Sequence, residues 1–259
     1  MKKCLLLLLP VLVSATAAHA ASDTYIRNGN IYTKQDSWIA EIGGAGASDL
    51  FKGQNKNASM LFNFGYHAED YNVDFNSINY RFYGNNDDVL NLSVYLGSSG
   101  IKHDQGDATI LKGMDERELS ADLGLNADFH LAQGTISTYF QHDISGAYDG
   151  YVASTKYFYP IQLEKLSIVP YAGLSYQNAE YVDYYFGVQD KEQTASRKAY
   201  KGQGDVSYQL GYKLIMPIAK NWDITQTAAY TRLGSNVADS PLVDNANQWL
   251  VGATVSFSF

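Results

Sequence analysis

Any chemistry in this chain would come from very few side chains. Past residue 20 there are four histidines: His67, His103, His130 and His142. Only His142 has a nucleophile and an acid close by, in His142-Asp143-Ile144-Ser145. A serine hydrolase needs such groups within hydrogen-bonding reach of one another. On a strand, His142 and Ser145 face opposite sides, so the group works only if the chain bends at Gly146. Acidic residues cluster in Asn85-Asn86-Asp87-Asp88 and in Asp104-Gln105-Gly106-Asp107. Neither cluster has the spacing and closing Glu of a calcium loop, so both read as solvated loops. No Gly-rich phosphate loop joins a strand to a helix. The single cysteine, Cys4, precedes residue 20, which excludes disulfides, zinc-thiolate sites and cysteine nucleophiles from the rest. The expectation is no catalytic residue, no cofactor and no metal ligand. A lipid hydrolase built on Ser145 and His142 is the enzyme reading to test.

The elements that would position these residues follow from composition and pattern. The 259 residues carry 19 Lys and Arg against 27 Asp and Glu, a net charge of −8. That balance lacks the footprint of a nucleic-acid binder. Aromatics make up 14% and charged residues 18%, too apolar a mixture for a disordered chain. Met1-Lys2-Lys3, the apolar run Cys4–Val13 and Ala18-His19-Ala20 have the layout of a signal peptide over residues 1–20. Cleavage is expected at Ala18, Ala20 and Ala21, giving a mature net charge of −10 once Lys2 and Lys3 are removed.

Past that leader the dominant signal has period two. From Leu119 to Phe129 every odd position is apolar and every even one is polar or Gly. Val206–Leu214 behaves alike, and so does Leu90–Gly97 with Tyr95 as the one exception. Such strands have one apolar and one polar face. They fit a soluble sandwich with the apolar face inward, or a membrane barrel with that face toward lipid. Several strands run longer than the about 5–6 residues typical of globular proteins and match the about 9–11 needed to cross a bilayer. Short turns near Asn85–Asp88, His130–Gln133, Gln162–Glu164 and Ile218–Lys220 alternate mostly with long loops at 98–116, 179–203 and 235–247. That alternation is the hairpin pattern of outer-membrane barrels. Many Trp and Tyr sit near strand ends, as in interfacial belts.

The last strand sharpens the reading. Trp249, Val251, Ala253, Val255, Phe257 and Phe259 form one apolar face. Val251, Val255, Phe257 and Phe259 are similar to the carboxy-terminal signal read by barrel assembly machinery. Strands are expected at 37–46, 58–66, 73–83, 89–97, 117–129, 134–145, 149–161, 165–178, 204–217, 222–234 and 248–259. Since single-chain barrels have even strand numbers, a weak stretch at Tyr25–Thr33 would complete twelve, with ten as the alternative. The expected architecture is all-β: a transmembrane antiparallel β-barrel over residues 37–259. Residues 21–36 would be a periplasmic amino-terminal segment or a weak first strand.

The last third of the chain resembles the MipA/OmpV family, the MltA-interacting outer-membrane proteins of Gram-negative bacteria. Tyr184, Tyr185, Gly187 and Val188 match its Tyr-x-x-Tyr-(Tyr/Phe)-Gly-Val block. Asp239, Ser240 and Pro241, after Asn221-Trp222-Asp223 and Tyr230–Gly234, match its final strands and loop. After the Gly-Val block the family usually shows Ser-Gly-Leu-Pro-x-Tyr, whereas Ser196-Arg197-Lys198-Ala199 here leads to Tyr200 without Gly or Pro. That loop is expected to be shaped differently. The resemblance implies the outer membrane of a Gram-negative bacterium, contact with its lipids, and a scaffold or adaptor role toward a murein lytic transglycosylase and a murein synthase. No nucleic acid is expected. A small porin-like channel or a surface adhesin are the alternatives. Short periplasmic turns offer little docking area, so a partner would meet several turns at once or the segment Ala21–Asp36.

Overall fold

A strand with one apolar and one polar face pairs best with neighbours patterned the same way. The computed structural model describes residues 24–259 and joins such strands into one closed antiparallel sheet. Ala18, Ala20 and Ala21 lie outside the described residues. Two short strands, β1 (Tyr25–Arg27) and β2 (Asn30–Tyr32), form a separate sheet. The wall consists of β3 (Ser37–Ala47), β4 (Ala58–His67), β5 (Tyr71–Asp74), β6 (Ser77–Tyr83), β7 (Leu90–Gly97), β8 (Asp122–Leu131) and β9 (Gly134–Asp143), then β10 (Tyr151–Phe158) continued by β11 (Ile161–Leu163). It is completed by β12 (Leu166–Gln177), β13 (Asp205–Ala219), β14 (Trp222–Arg232) and β15 (Asn247–Ser258). Strand β15 pairs with β3, and β10 pairs with both β9 and β12, so the sheet closes. With β10 and β11 as one stave, the barrel has the expected twelve strands.

The twelfth stave is not Tyr25–Thr33. It comes from the stretch read as one strand at 73–83, which folds back on itself as β5 and β6, with Asp74 paired to Ser77. The alternation slips by one residue at Asn76-Ser77, apolar at 73 and 75 before it and at 78, 80 and 82 after it, and that slip marks the turn. Residues Tyr25–Tyr32 instead make a tight hairpin through Asn28 (φ 50°) and Gly29 (φ 64°). Asn-Gly is the preferred pair for such a turn because both positions need positive φ. Residues 117–121 belong to the preceding loop, not to β8.

The burial pattern settles which way the strands face. In β8, Asp122, Asn126 and Asp128 are 0%, 3% and 1% exposed, whereas Leu123, Leu125 and Phe129 are 48%, 59% and 39% exposed. A soluble protein hides its leucines and exposes its aspartates; this wall does the reverse, as a bilayer requires. Tyr95, the exception in β7, turns inward, where its ring lies over the bare Cα atoms of Gly97 and Gly124. At the periplasmic ends Trp38 stacks on Phe64 at 5.3 Å and Trp222 packs on Phe257 at 4.8 Å. Near the outer ends Phe140, Tyr151 and Tyr176 pack in a row at 5.2 and 6.0 Å.

This orientation makes opposite demands on the two faces. Leu125→Arg, on the lipid face, is expected to cost about 2–4 kcal/mol. Gln209→Arg, on the luminal face, should cost far less. Urea unfolding of the two variants in the same lipid checks the difference.

Candidate functional site

Three things fill the barrel: a hairpin near the periplasmic end, a polar chamber above it, and a folded cap over the outer mouth. The hairpin β1–β2 is held by the wall from β4 round to β13, and a cavity separates it from β14, β15 and β3. Its Ile26 and Ile31 pack against Phe158 of β10, Val169 of β12 and Ile215 of β13. Arg27 donates to the carbonyl of Ala68 at 3.3 Å, to Asn72 Oδ1 at 3.2 Å and to the Glu69 carbonyl. The Asn28 amide donates to Asp128 at 3.2 Å, and Lys213 Nζ donates to the Ile31 carbonyl at 3.1 Å.

Above the hairpin lie two luminal cavities of about 380 Å³ each. Both are lined by Gly29, Asn30, Asn76, Ser77 and Lys156. Asp122, Asp128, Gln141, Lys156 and Lys213, which the alternation places opposite the apolar face, are on the luminal side. Asp122 accepts from Ser99 and from Gln141 at 2.8 Å, and Asn126 donates to Ser137 at 2.9 Å. Buried polar groups are stable only when bonded in this way.

The cap is built from loops 48–57, 98–121, 144–150, 178–204 and 233–246. It has its own apolar core, including Phe51, Leu111, Tyr148, Val182, Tyr185 and Leu242. Its central element is α1 (Ala179–Phe186), whose first turn is capped by Asn178 accepting from the Tyr181 amide. Tyr181, Val182, Tyr185 and Phe186 share its buried face. Tyr185 donates its hydroxyl to the Glu118 carbonyl at 3.1 Å, and Tyr181 donates to the Ser99 carbonyl at 2.8 Å. These tyrosines fasten α1 to the 98–121 loop. Behind them Arg117 forms a bidentate pair with Glu192 at 3.0 and 3.1 Å; the two side chains are 4% and 2% exposed. Arg117 also donates to the Tyr184 carbonyl at 2.7 Å.

Glu192 and His103 are buried cap groups whose titration bears on its stability. Burial acts to raise the Glu192 carboxyl, but amide hydrogen bonds from Gln189 and Asp115 and the Arg117 charge outweigh it and hold it below the usual range. Burial lowers His103, with Arg117 acting in the same sense and the Ile101 carbonyl, Asp107 and Asp104 against it. Both groups have depressed folded-state values, so each stabilises the cap fully above its ordinary value. That stability is lost as pH falls, from about 6.5 for His103 and from about 4.5 for Glu192. Protease resistance of the cap is therefore expected to fall progressively between pH 7 and pH 4. A flat profile would contradict it.

Tyr184, Tyr185, Gly187 and Val188 lie in or just after α1, and Asp239, Ser240 and Pro241 follow α2 (Ser235–Ala238). The structure brings the two segments together: Ser240 donates to the Phe186 carbonyl at 2.7 Å, beside Gly187. The divergent stretch before Tyr200 also has a structural place. Arg197 reaches under the 98–121 loop to the Ile110 and Lys112 carbonyls, and Tyr200 pairs with Val188 through 2.8 and 3.0 Å backbone bonds. Val251, Val255, Phe257 and Phe259 lie along the outer face of the last strand, and Phe259 exchanges backbone bonds with Trp38. The residues of the hydrolase reading are not assembled. Ser145 donates to Asp143 at 2.6 Å, while His142 bonds the Asp143 carbonyl through Nδ1 at 2.7 Å. The acidic clusters close their own turns, Asn85 to Asp88 at 2.7 Å and Asp104 to Asp107 at 2.9 Å. Sequence reasoning missed the luminal hairpin, whose Asn28-Gly29 pair was the available signal.

The family model of MltA-interacting protein MipA matches residues 42–259. The chain belongs to the MipA/OmpV family. It is 55% identical to the outer membrane protein OmpV of Vibrio cholerae serotype O1 across the whole of both chains. It is 26% identical to the MltA-interacting protein of Escherichia coli K12, covering 66% of this chain and 70% of that one. Among solved structures, the NanC porin covers 85% of this chain and 100% of its own, at 10% identity and a TM-score of 0.43. By its family and by its full-length relatives the protein is an outer-membrane β-barrel. The luminal hairpin lies outside the residues that the family model matches.

Proposed function

We propose that this MipA/OmpV protein is a closed, non-catalytic scaffold in the outer membrane, with murein-processing enzymes as its periplasmic partners. The observation that carries the reading is the hairpin Tyr25–Tyr32, anchored to strands around the wall and standing across the lumen. A barrel filled in this way, beneath a packed cap, suits docking better than free diffusion. The name of the Escherichia coli relative supports the partner class.

The hairpin also narrows where a partner binds. Since Tyr25–Tyr32 lies inside the barrel, it is not free to serve as the docking arm. A standard interface needs about 800 Å² from each partner. Several periplasmic turns must then act together, among them those at 84–89, 132–133, 164–165 and 220–221. The test is capture of a purified murein lytic transglycosylase by the folded barrel in detergent. A saturable complex, lost when the 84–89 and 220–221 turns are both replaced by Gly-Ser, is the expected result. Failure to form any complex with folded barrel overturns the reading. In planar bilayers the same protein is expected to be electrically silent.

A further inference from the structure

The barrel wall has a gap. Backbone bonding along β3 alternates: Trp38 exchanges bonds with Phe259 on one side, while Ala47 donates to the Asn57 carbonyl on the other. Odd-numbered residues of β3 therefore bond to β4 and even-numbered ones to β15. In β4 this leaves the N–H and C=O groups of Ala58, Met60 and Phe62 pointing away from β3, toward where β5 should be. Strand β5 is too short to meet them. It pairs with β4 only at Tyr66–Val73 and His67–Asn72, and the Phe75 amide then bonds the Asn63 side chain at 3.1 Å. Above that point the edge of β4 has no strand partner among the described residues.

This edge lies at membrane depth. Through β3, Met60 is in register with Ala253, midway along β15 between Trp249 and Phe257. Unpaired backbone at that depth is tolerated only where it lines a wet cavity or is covered by protein. A cavity lined by polar side chains is present. The luminal cavity that touches Lys156 and Lys213 on the far wall also touches Phe62. Phe62 belongs to the outer face: it is 60% exposed and packs edge-on against Phe75 at 4.8 Å. The luminal cavity thus reaches the wall at Phe62, beside the unpaired edge of β4.

Its two ends differ in chemistry. The outer lip is apolar, formed by Met60, Phe62 and Phe75. Of the carboxylates inside, Asp74 is held by His67 at 2.9 Å and Asn63 at 2.7 Å, and Glu41 accepts from Thr254. Lys156 and Lys213 have no ion-pair partner among the described residues. We infer that the gap is a side entrance by which a single-chain anionic amphiphile, one acyl tail with a carboxylate or phosphate head, passes between the bilayer and the luminal chamber. The head pairs with Lys156 and Lys213, and the tail lies along Met60 and Phe62 once the Phe62–Phe75 contact parts. This binding does not depend on the scaffold reading, so a barrel that captured no murein enzyme would still show it.

The probes are radiolabelled laurate and dodecyl phosphate, with dodecyltrimethylammonium as the cationic control. Each is titrated into phospholipid vesicles with and without the full mature chain. A saturable component is expected for one or both anions and none for the cation; which anion binds tells carboxylate from phosphate. Lys156→Gln with Lys213→Gln should weaken binding about tenfold or more, since two charge-assisted contacts are lost. Because the chain past Cys4 has no cysteine, Phe62→Cys with Phe75→Cys can bolt the lips together. Oxidation should then slow uptake about tenfold or more, and reductant should restore it. Binding no greater than in empty vesicles overturns the inference. So does equal binding by a lysine variant with intact heat-modifiable migration, or unchanged uptake by the cross-linked form.

Discussion

Replacing Arg117 by Ala is expected to cost the cap about 3–5 kcal/mol. The loss comes less from the missing attraction than from Glu192, left ionised with a side chain only 2% exposed. Arg117 also holds the Tyr184 carbonyl and the carbonyl of Asp115, so the 98–121 and 178–204 loops lose one common anchor. The barrel wall does not rely on this pair, and heat-modifiable migration should persist. Limited proteolysis of the folded variant should therefore cut within 98–121 and 178–204 under conditions that spare the parent. Arg117→Met combined with Glu192→Leu should cost much less, because it removes both charges together. Equal resistance of Arg117→Ala and parent would show that the apolar core of the cap suffices without the pair.

Deleting residues 24–33 is expected to open the lumen from the periplasmic side. In the parent, that opening requires the hairpin to leave, which exposes Ile26 and Ile31, now 6% and 9% exposed. Burial of each is worth about 1.5–3 kcal/mol, so the open form should be rarer than about one in a hundred. Thr227 lines the chamber above the hairpin. A membrane-impermeant maleimide applied to the periplasmic face of reconstituted Thr227→Cys should label it about a hundredfold faster in the deletion variant. Equal rates would mean that the hairpin does not seal the chamber.

Much of the wall was legible because its physics is local. In β8 and β15 a bilayer outside and a polar lumen inside write a two-residue period that needs no tertiary knowledge. The same rule failed at Val73–Asn76, where the only trace of the turn is a one-residue slip at Asn76-Ser77 that moves the apolar positions from odd to even numbers. It failed differently at Tyr25–Tyr32, where Asn28-Gly29 announces a hairpin but nothing local says that the hairpin stands inside a barrel. That placement depends on Asp128, Phe158, Val169 and Lys213, all more than ninety residues away in the chain. The motif residues from Tyr184 to Pro241 were visible as a pattern. Their joint task was not, because the bond from Ser240 to the Phe186 carbonyl links loops on either side of two wall strands. Arg197 shows the same limit. Its departure from the family pattern was plain, but its reach to the Ile110 and Lys112 carbonyls was not.

The packed cap changes what a neighbouring cell or an immune system meets. Lys52 bonds the Pro241 carbonyl at 3.0 Å, and Lys191 pairs with Asp115 at 2.5 Å, so distant stretches of chain form one continuous relief. Epitopes on such a relief are conformational. A synthetic peptide copied from 179–203 alone would lack the neighbours that shape it, and sera raised against the folded barrel should recognise that peptide poorly.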